Sequence, residues 1–250
     1  MHEPRSVREG REKADAIRFE HGLGHAPIRD LFGFIERNHP EVLVVVRPML
    51  DGPDGALLRA GNRWLIVVNS HTYFLARQRF TAAHELGHYL FDRNSDPVHL
   101  DDDLFGGDAP AETRANAFAV HLILPARVIR ERIREGSFNP RNPEEVVALA
   151  IEYGLSLQSL SWHLKNILGL SESERQRIAD IPAPLRLASR LGLAEQAKQE
   201  RDARNRKSWP QRYLALAAQA FEQGKLDETQ LAELLQDSRL ASEIVGNPAE

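Results

Sequence analysis

The spacing of polar and apolar positions changes several times along the 250 residues. From residue 7 to residue 20 charged side chains dominate and apolar ones are sparse, which predicts an exposed helix broken at Gly22 and Gly24. Pro27 opens a second predicted helix that runs to Ile35. The period then shortens: residues 42–46 form a β-branched run, residues 55–59 a short apolar one, and residues 64–68 another β-branched one. Asp51-Gly52-Pro53-Asp54 and Gly61-Asn62 separate these runs as turns, so a small antiparallel meander is expected.

Helical spacing returns from Leu75 to Phe91. Residues 92–110, rich in Asp, Gly and Pro, are expected to be a loop, and residues 111–124 a helix that stops before Pro125. Beyond that the pattern is helical throughout. Asn142-Pro143-Glu144-Glu145 puts a cap residue, a proline at the first helical position and acids in the first turn, all suited to a helix N-terminus. That helix is expected to reach Tyr153, with Gly154 as the break and Ser156 as the cap of a helix ending at Gly169, which is helix-turn-helix grammar. Ile181-Pro182-Ala183-Pro184 reads as a joint. After it come a charged helical stretch over 185–207, a helix over 210–223 ending at Gly224, and Asp227 with Gln230 in the spacing of a capping box.

Composition narrows the function classes. The formal charge of −4 supplies no general basic field for nucleic acid or anionic membranes. With no cysteine, a disulfide framework, a thiolate metal site and a cysteine nucleophile are all excluded. No stretch approaches the ~18 apolar residues that span a bilayer, and residues 1–20 lack an apolar leader core, so no membrane contact and a cytoplasmic location are expected.

The chemistry concentrates at His84-Glu85-Leu86-Gly87-His88. On a helix, residues four apart face one side, so both imidazoles can grip one ion while Glu85 reaches a water on that ion as the base. The pattern by itself recurs by chance. Its setting adds weight: two histidines and a glutamate are poor choices inside the apolar run Phe80 to Phe91 unless something binds them. A catalytic zinc wants a third protein ligand, for which His99, Asp101, Asp102, Asp103, Asp108, Glu112 and His121 are candidates. Glu112 is preferred, because Ala115 and Ala119 follow it at helical spacing and allow close approach to the histidine helix. Asn116, one turn later, could orient His84 from behind. His121 falls on the opposite helix face and is expected to be a structural or surface residue.

Two blocks, residues 79–90 around HELGH and residues 112–119 (Glu112-Thr113-Arg114-Ala115-Asn116-Ala117-Phe118-Ala119) ending Leu122-Ile123-Leu124-Pro125, resemble the ImmA/IrrE family of metallopeptidases. The resemblance covers about residues 25–130 and the segment 146–164, and implies a zincin-like core followed by a helix-turn-helix-like extension; joined to the helical pattern further on, this gives an α+β fold divided into a core over residues 1–135, the extension over 136–180 and a helical C-terminal region over 181–250. It also implies Zn2+, or another divalent ion such as Mn2+, held by His84, His88 and Glu112, and cleavage of a helix-turn-helix repressor as the role. His121 departs from the family pattern, where a small or neutral residue is usual.

Two other classes compete: a helix-turn-helix regulator with a structural metal, and an anti-repressor that binds without cutting. Glu85 argues against the first, since a structural site has no use for an acid beside its first ligand. Direct DNA binding is not expected. The candidate reading helix offers Gln158, His163, Lys165 and Asn166, while Glu144, Glu145 and Glu152 make its partner helix acidic.

Overall fold

The charged first segment is not the exposed helix its composition predicts. In the computed structural model, which describes residues 3–71, 74–93, 98–101 (backbone) and 110–246, α1 (Arg5–Glu20) lies along α4 (Pro110–Ile123). Gly10 makes this possible: a Cβ there would overlap the Arg114 carbonyl and crowd the Phe118 amide. Ala14 and Ile17 go into the core, and the Ile17 side chain alone stabilises the contact by roughly 1.5–3 kcal/mol on leaving water. Arg18 is buried too, donating to the carbonyls of Leu122 (2.6 Å), Ala26 (2.6 Å) and Gly24 (3.0 Å). Burial lowers its pKa to about 10, so it stays charged at neutral pH and clamps α1 to the end of α4.

The second helix, α2 (Leu31–Asn38), starts later than Pro27, because the Asp30 side chain accepts from the Gly33 amide and caps it there. Its apolar face rests on a four-stranded sheet, β1 (Val42–Arg47), β2 (Gly55–Ala60), β3 (Arg63–Asn69) and β4 (Val98–Asp101), in the order β1-β3-β2-β4. The expected meander is therefore wrong in two respects. β3 inserts between β1 and β2, parallel to β1 (Val44 opposite Ile66) and antiparallel to β2 (Leu57 opposite Ile66). The stretch expected as loop also contributes an edge strand, β4, antiparallel to β2. The physical reason is Asn69. Its amide accepts from the Met49 N–H (2.9 Å) and donates to the Met49 (2.9 Å) and Pro53 (3.1 Å) carbonyls, so the connection after β1 loops around the end of β3 instead of reversing tightly.

On this sheet lies α3 (Leu75–Asp92), which packs against α4, followed by α5 (Ala126–Arg134). The helix-turn-helix segment forms where expected. α6 (Pro143–Tyr153) is capped by Asn142 and ends at Gly154, whose φ of 67° suits a residue without Cβ. α7 (Leu157–Leu168) is capped by Ser156 and ends at Gly169. Val146, Leu149, Leu160 and Leu164 join the same apolar core as the sheet, which continues through α8 (Glu172–Ala179) to Ala188 of α9 (Pro184–Arg190).

The stretch expected as one charged helix divides into α9 and α10 (Ala194–Asp202), with Gly192 at φ 74° between them. The segment after α10 is anchored to the sheet: Asn205 and Arg206 meet Ser70 through backbone and hydroxyl bonds (2.7 and 2.6 Å), and Ser208 exchanges two backbone bonds with Val46 on the outer edge of β1. A separate small core joins α11 (Gln211–Glu222), α12 (Glu228–Leu235) and α13 (Ser238–Val245) around Ala217, Leu231, Leu235 and Ala241. Asp227 and Gln230 form the expected capping box, and Leu216 of α11 is 58% exposed.

Candidate metal centre

α3 presents His84, Glu85 and His88, all buried, and α4 brings Glu112 and Asn116 to them. The approach is close because Gly87 faces Ala115: a Cβ on Gly87 would stand 3.1 Å from the Ala115 Cα. The small-residue spacing visible in the sequence is thus what lets a carboxylate on one helix reach the imidazoles on the other.

The two Nε2 atoms of His84 and His88 are 3.0 Å apart, and the Glu112 oxygens lie 3.3 Å from the first and 3.2 Å from the second. Behind each ring is an acceptor. His84 Nδ1–H donates to the Asn116 amide oxygen (3.0 Å), and His88 Nδ1–H donates to Asp92 (3.1 Å). With Nδ1 bonded to an acceptor behind it, each ring would turn its Nε2 lone pair to a cation held in front. Two such nitrogens, 3.0 Å apart and facing a carboxylate, make a donor set suited to one divalent cation. Hydrogen bonds from His84 and His88 outweigh burial and hold the Glu112 carboxyl well below the usual carboxylate range, so it is ionised at neutral pH, as a metal-binding group must be.

Three further residues shape the site, and none of them was singled out beforehand. Asp92, assigned to the loop by its composition, is the last residue of α3, and its signal was the i,i+4 spacing from His88. Arg114 pairs with Asp92 and keeps that carboxylate oriented. Gly55 opens β2 directly over Glu85, where a Cβ would overlap the Glu85 carboxylate, so the missing side chain is what leaves room for the acid.

The chain fits the model of the IrrE N-terminal-like domain, a peptidase family, over residues 41–165, half of its length. It belongs to that family. The match runs from β1 into α7 and so contains His84, Glu85, His88, Glu112 and Asn116. No curated protein matches the chain at a significant level. The resemblance and the α+β arrangement expected from the sequence both hold, and the match ends at residue 165, within α7.

The remaining third-ligand candidates separate. The side chains of His99 and Asp101, and Asp102, Asp103 and Asp108 altogether, lie outside the described residues. His121 is not at the surface: it is 6% exposed and meets His163 edge to face at 4.7 Å between centroids. Burial pushes His121 down to about 2 and His163 down to about 4, the latter partly opposed by its bond to the Leu124 carbonyl, so both rings are neutral at pH 7. Among the described residues no helix is long and apolar enough to cross a membrane.

Proposed function

We propose that the chain is a zinc-dependent endopeptidase of the cytoplasm that cuts a partner protein, a helix-turn-helix transcriptional repressor, at a specific bond and so relieves repression. One observation carries the reading: two buried imidazoles and a carboxylate from two helices converge, each ring held from behind by an acceptor. His84, His88 and Glu112 are assigned to hold the metal, Asn116 to orient His84, and Glu85 to act as the base. When bound, zinc supplies Lewis acidity and brings the pKa of a water at its open position towards ~7, a task that another divalent ion such as Mn2+ can share. Glu85 would take the proton of the attacking water and pass it to the amide nitrogen as the peptide bond breaks. Because Glu85 is fully buried, that proton stays beside the reacting bond instead of escaping to bulk solvent.

We assign the catalytic body to residues 1–135, a packing and recognition role to the extension over 136–180, and the helical tail to 181–250. Direct DNA binding is not part of the proposal. α7 turns Leu160, His163 and Leu164 into the core, and Lys165, the one lysine of that helix, is paired with Glu172 at 2.6 Å. Duplex contact at physiological salt needs several unpaired phosphate-binding cations, which this face lacks.

The test is incubation of the purified protein with the repressor encoded beside it. Cleavage that is abolished by a chelator and restored by zinc supports the assignment. Tight binding without cleavage in the presence of metal points to the anti-repressor function instead.

A further inference from the structure

A cleft of about 370 Å3 opens between α4 and α7 and borders the metal centre through three residues. Asn116 accepts the His84 Nδ1 proton, Thr113 follows Glu112, and the Phe80 ring stacks on His84 with centroids 6.5 Å apart. The volume is at the small end of ligand pockets, which run about 300–1,000 Å3, and suits one bulky side chain.

Among the described residues, the eleven that line it include no Asp, Glu, Lys or Arg. A charged side chain entering it would leave water and meet no counter-charge on the described lining, since the nearby Arg175 and Lys165 stand behind the Trp162 ring, so the walls favour an uncharged occupant. Trp162 forms one wall and is braced from outside by Arg175 (4.4 Å from the ring centroid) and Lys165 (4.9 Å). Arg175 is itself buried and donates to the Ser161 hydroxyl at 3.3 Å, which keeps that wall in place.

His121 supplies the cleft's distinctive polar feature. Its Nδ1 is shut off from solvent with no hydrogen-bond partner among the described residues, which leaves Nε2 as the accessible nitrogen of a neutral ring. His163, edge-on behind it, donates Nε2–H to the Leu124 carbonyl (2.8 Å) and is committed there.

We propose that this cleft takes the side chain of a substrate residue flanking the cleaved bond and selects tyrosine, with the aromatic body between Phe80, Val120 and Trp162 and the hydroxyl on His121. A phenol hydroxyl both donates and accepts, so it pairs with either tautomer of the neutral histidine. Aromatic walls favour a flat ring beyond the area it buries. The inference rests on the peptidase reading for its substrate, but binding can be read separately from catalysis.

The full-length, zinc-loaded protein is titrated with N-acetyl-tyrosinamide, N-acetyl-phenylalaninamide, and the glutamate and lysine counterparts, following the Trp162 indole N–H in nitrogen–proton correlation spectra. The two aromatic probes should shift that signal and the two charged ones should not. His121→Phe keeps the ring and removes the nitrogen, so it should weaken the tyrosine probe about 5-fold and leave the phenylalanine probe unchanged. Asn166→Trp, at an exposed position on the rim, should block both probes with little risk to folding. No shift at Trp162, or equal shifts from charged probes, overturns the proposal. In parallel, a mixture of unstructured peptides is digested and the termini sequenced. Tyrosine enriched at one position beside the cut, with Phe and Tyr becoming equivalent in His121→Phe, supports the proposal. Cleavage without that preference overturns it while leaving the peptidase reading intact. Tyrosine-probe binding without any cleavage supports the cleft as a tyrosine site and counts against the peptidase reading.

Discussion

Two buried histidine pairs sit a few turns apart in this molecule, and their ring geometry is nearly the same. His84 and His88 meet edge to face with centroids 4.7 Å apart at 69°, and His121 and His163 do so at 4.7 Å and 81°. Their company differs. The first pair has Asn116 and Asp92 behind the rings and Glu112 in front; the second has one backbone carbonyl and, among the described residues, a cleft lined by no carboxylate. Carboxylates on one side turn two imidazoles into a place for a cation, while burial alone turns two imidazoles into neutral packing and a hydrogen-bonding wall. What a histidine pair does is set by the groups on its other nitrogens, not by the spacing of its rings.

Removing a front or ring donor should break the contrast most. His84→Ala and Glu112→Ala should drop bound metal from near one ion per chain to near zero after dialysis, measured by elemental analysis, whereas His121→Phe should leave it unchanged. Equal metal content in all three would sink the ligand assignment. Next in size, Glu85→Gln keeps the volume of the acid but removes its proton acceptor. Repressor cleavage should then fall by about 10²–10⁴-fold with metal retained. A near-normal rate in the variant would remove Glu85 from the mechanism.

Proton linkage sharpens the other half of the comparison. A histidine whose folded pKa is depressed binds its proton first in the unfolded chain, so its contribution to stability is full above pH 6.5 and is lost as pH falls towards about 4. His163 alone should contribute about 3 kcal/mol to that decline. Urea midpoints of wild type and His163→Gln, compared at pH 7.5 and 4.5, isolate this share from the carboxylates that titrate in the same range. Parallel curves would show that His163 is not responsible. The smallest effect belongs behind the metal site: Asn116→Ala should weaken zinc binding about 10–100-fold by freeing the His84 ring, measured by competition with a chromophoric chelator. Unchanged affinity would mean that the hydrogen bond to Asn116 does not orient the ligand.

What was legible in the sequence was what is written locally. The HELGH spacing places two imidazoles on one helix face, and Glu112 with Ala115 three positions on announces a helix able to come close; both are properties of fewer than ten consecutive residues. The caps at Asn142, Ser156 and Asp227 are of the same kind. The parallel pairing of β1 with β3 was not legible, since the turn residues between runs say only that the chain bends, and the partner is decided by Asn69 reaching back to Met49. Nor was the burial of Arg18, whose carbonyl partners come from residues 24, 26 and 122. The place of His121 on the helix face opposite Glu112 points to a structural or surface residue, and burial decides for the first; its companion, His163, lies 42 positions further on and is not visible from the local pattern.

The backbone bridge between Val46 and Ser208 also has a bearing on how the protein is made. Roughly 160 residues separate its two ends, and a ribosome adding about 5–20 residues per second needs on the order of 8–30 s to go from one to the other. Through that interval the rest of the sheet can form, but the outer edge of β1, a run of four valines and a leucine, offers unpaired amides to any neighbouring nascent chain. The segment that closes it arrives only after α10 has emerged. Residues far from the metal centre in the chain thereby act as a late molecular seal on the edge of its scaffold.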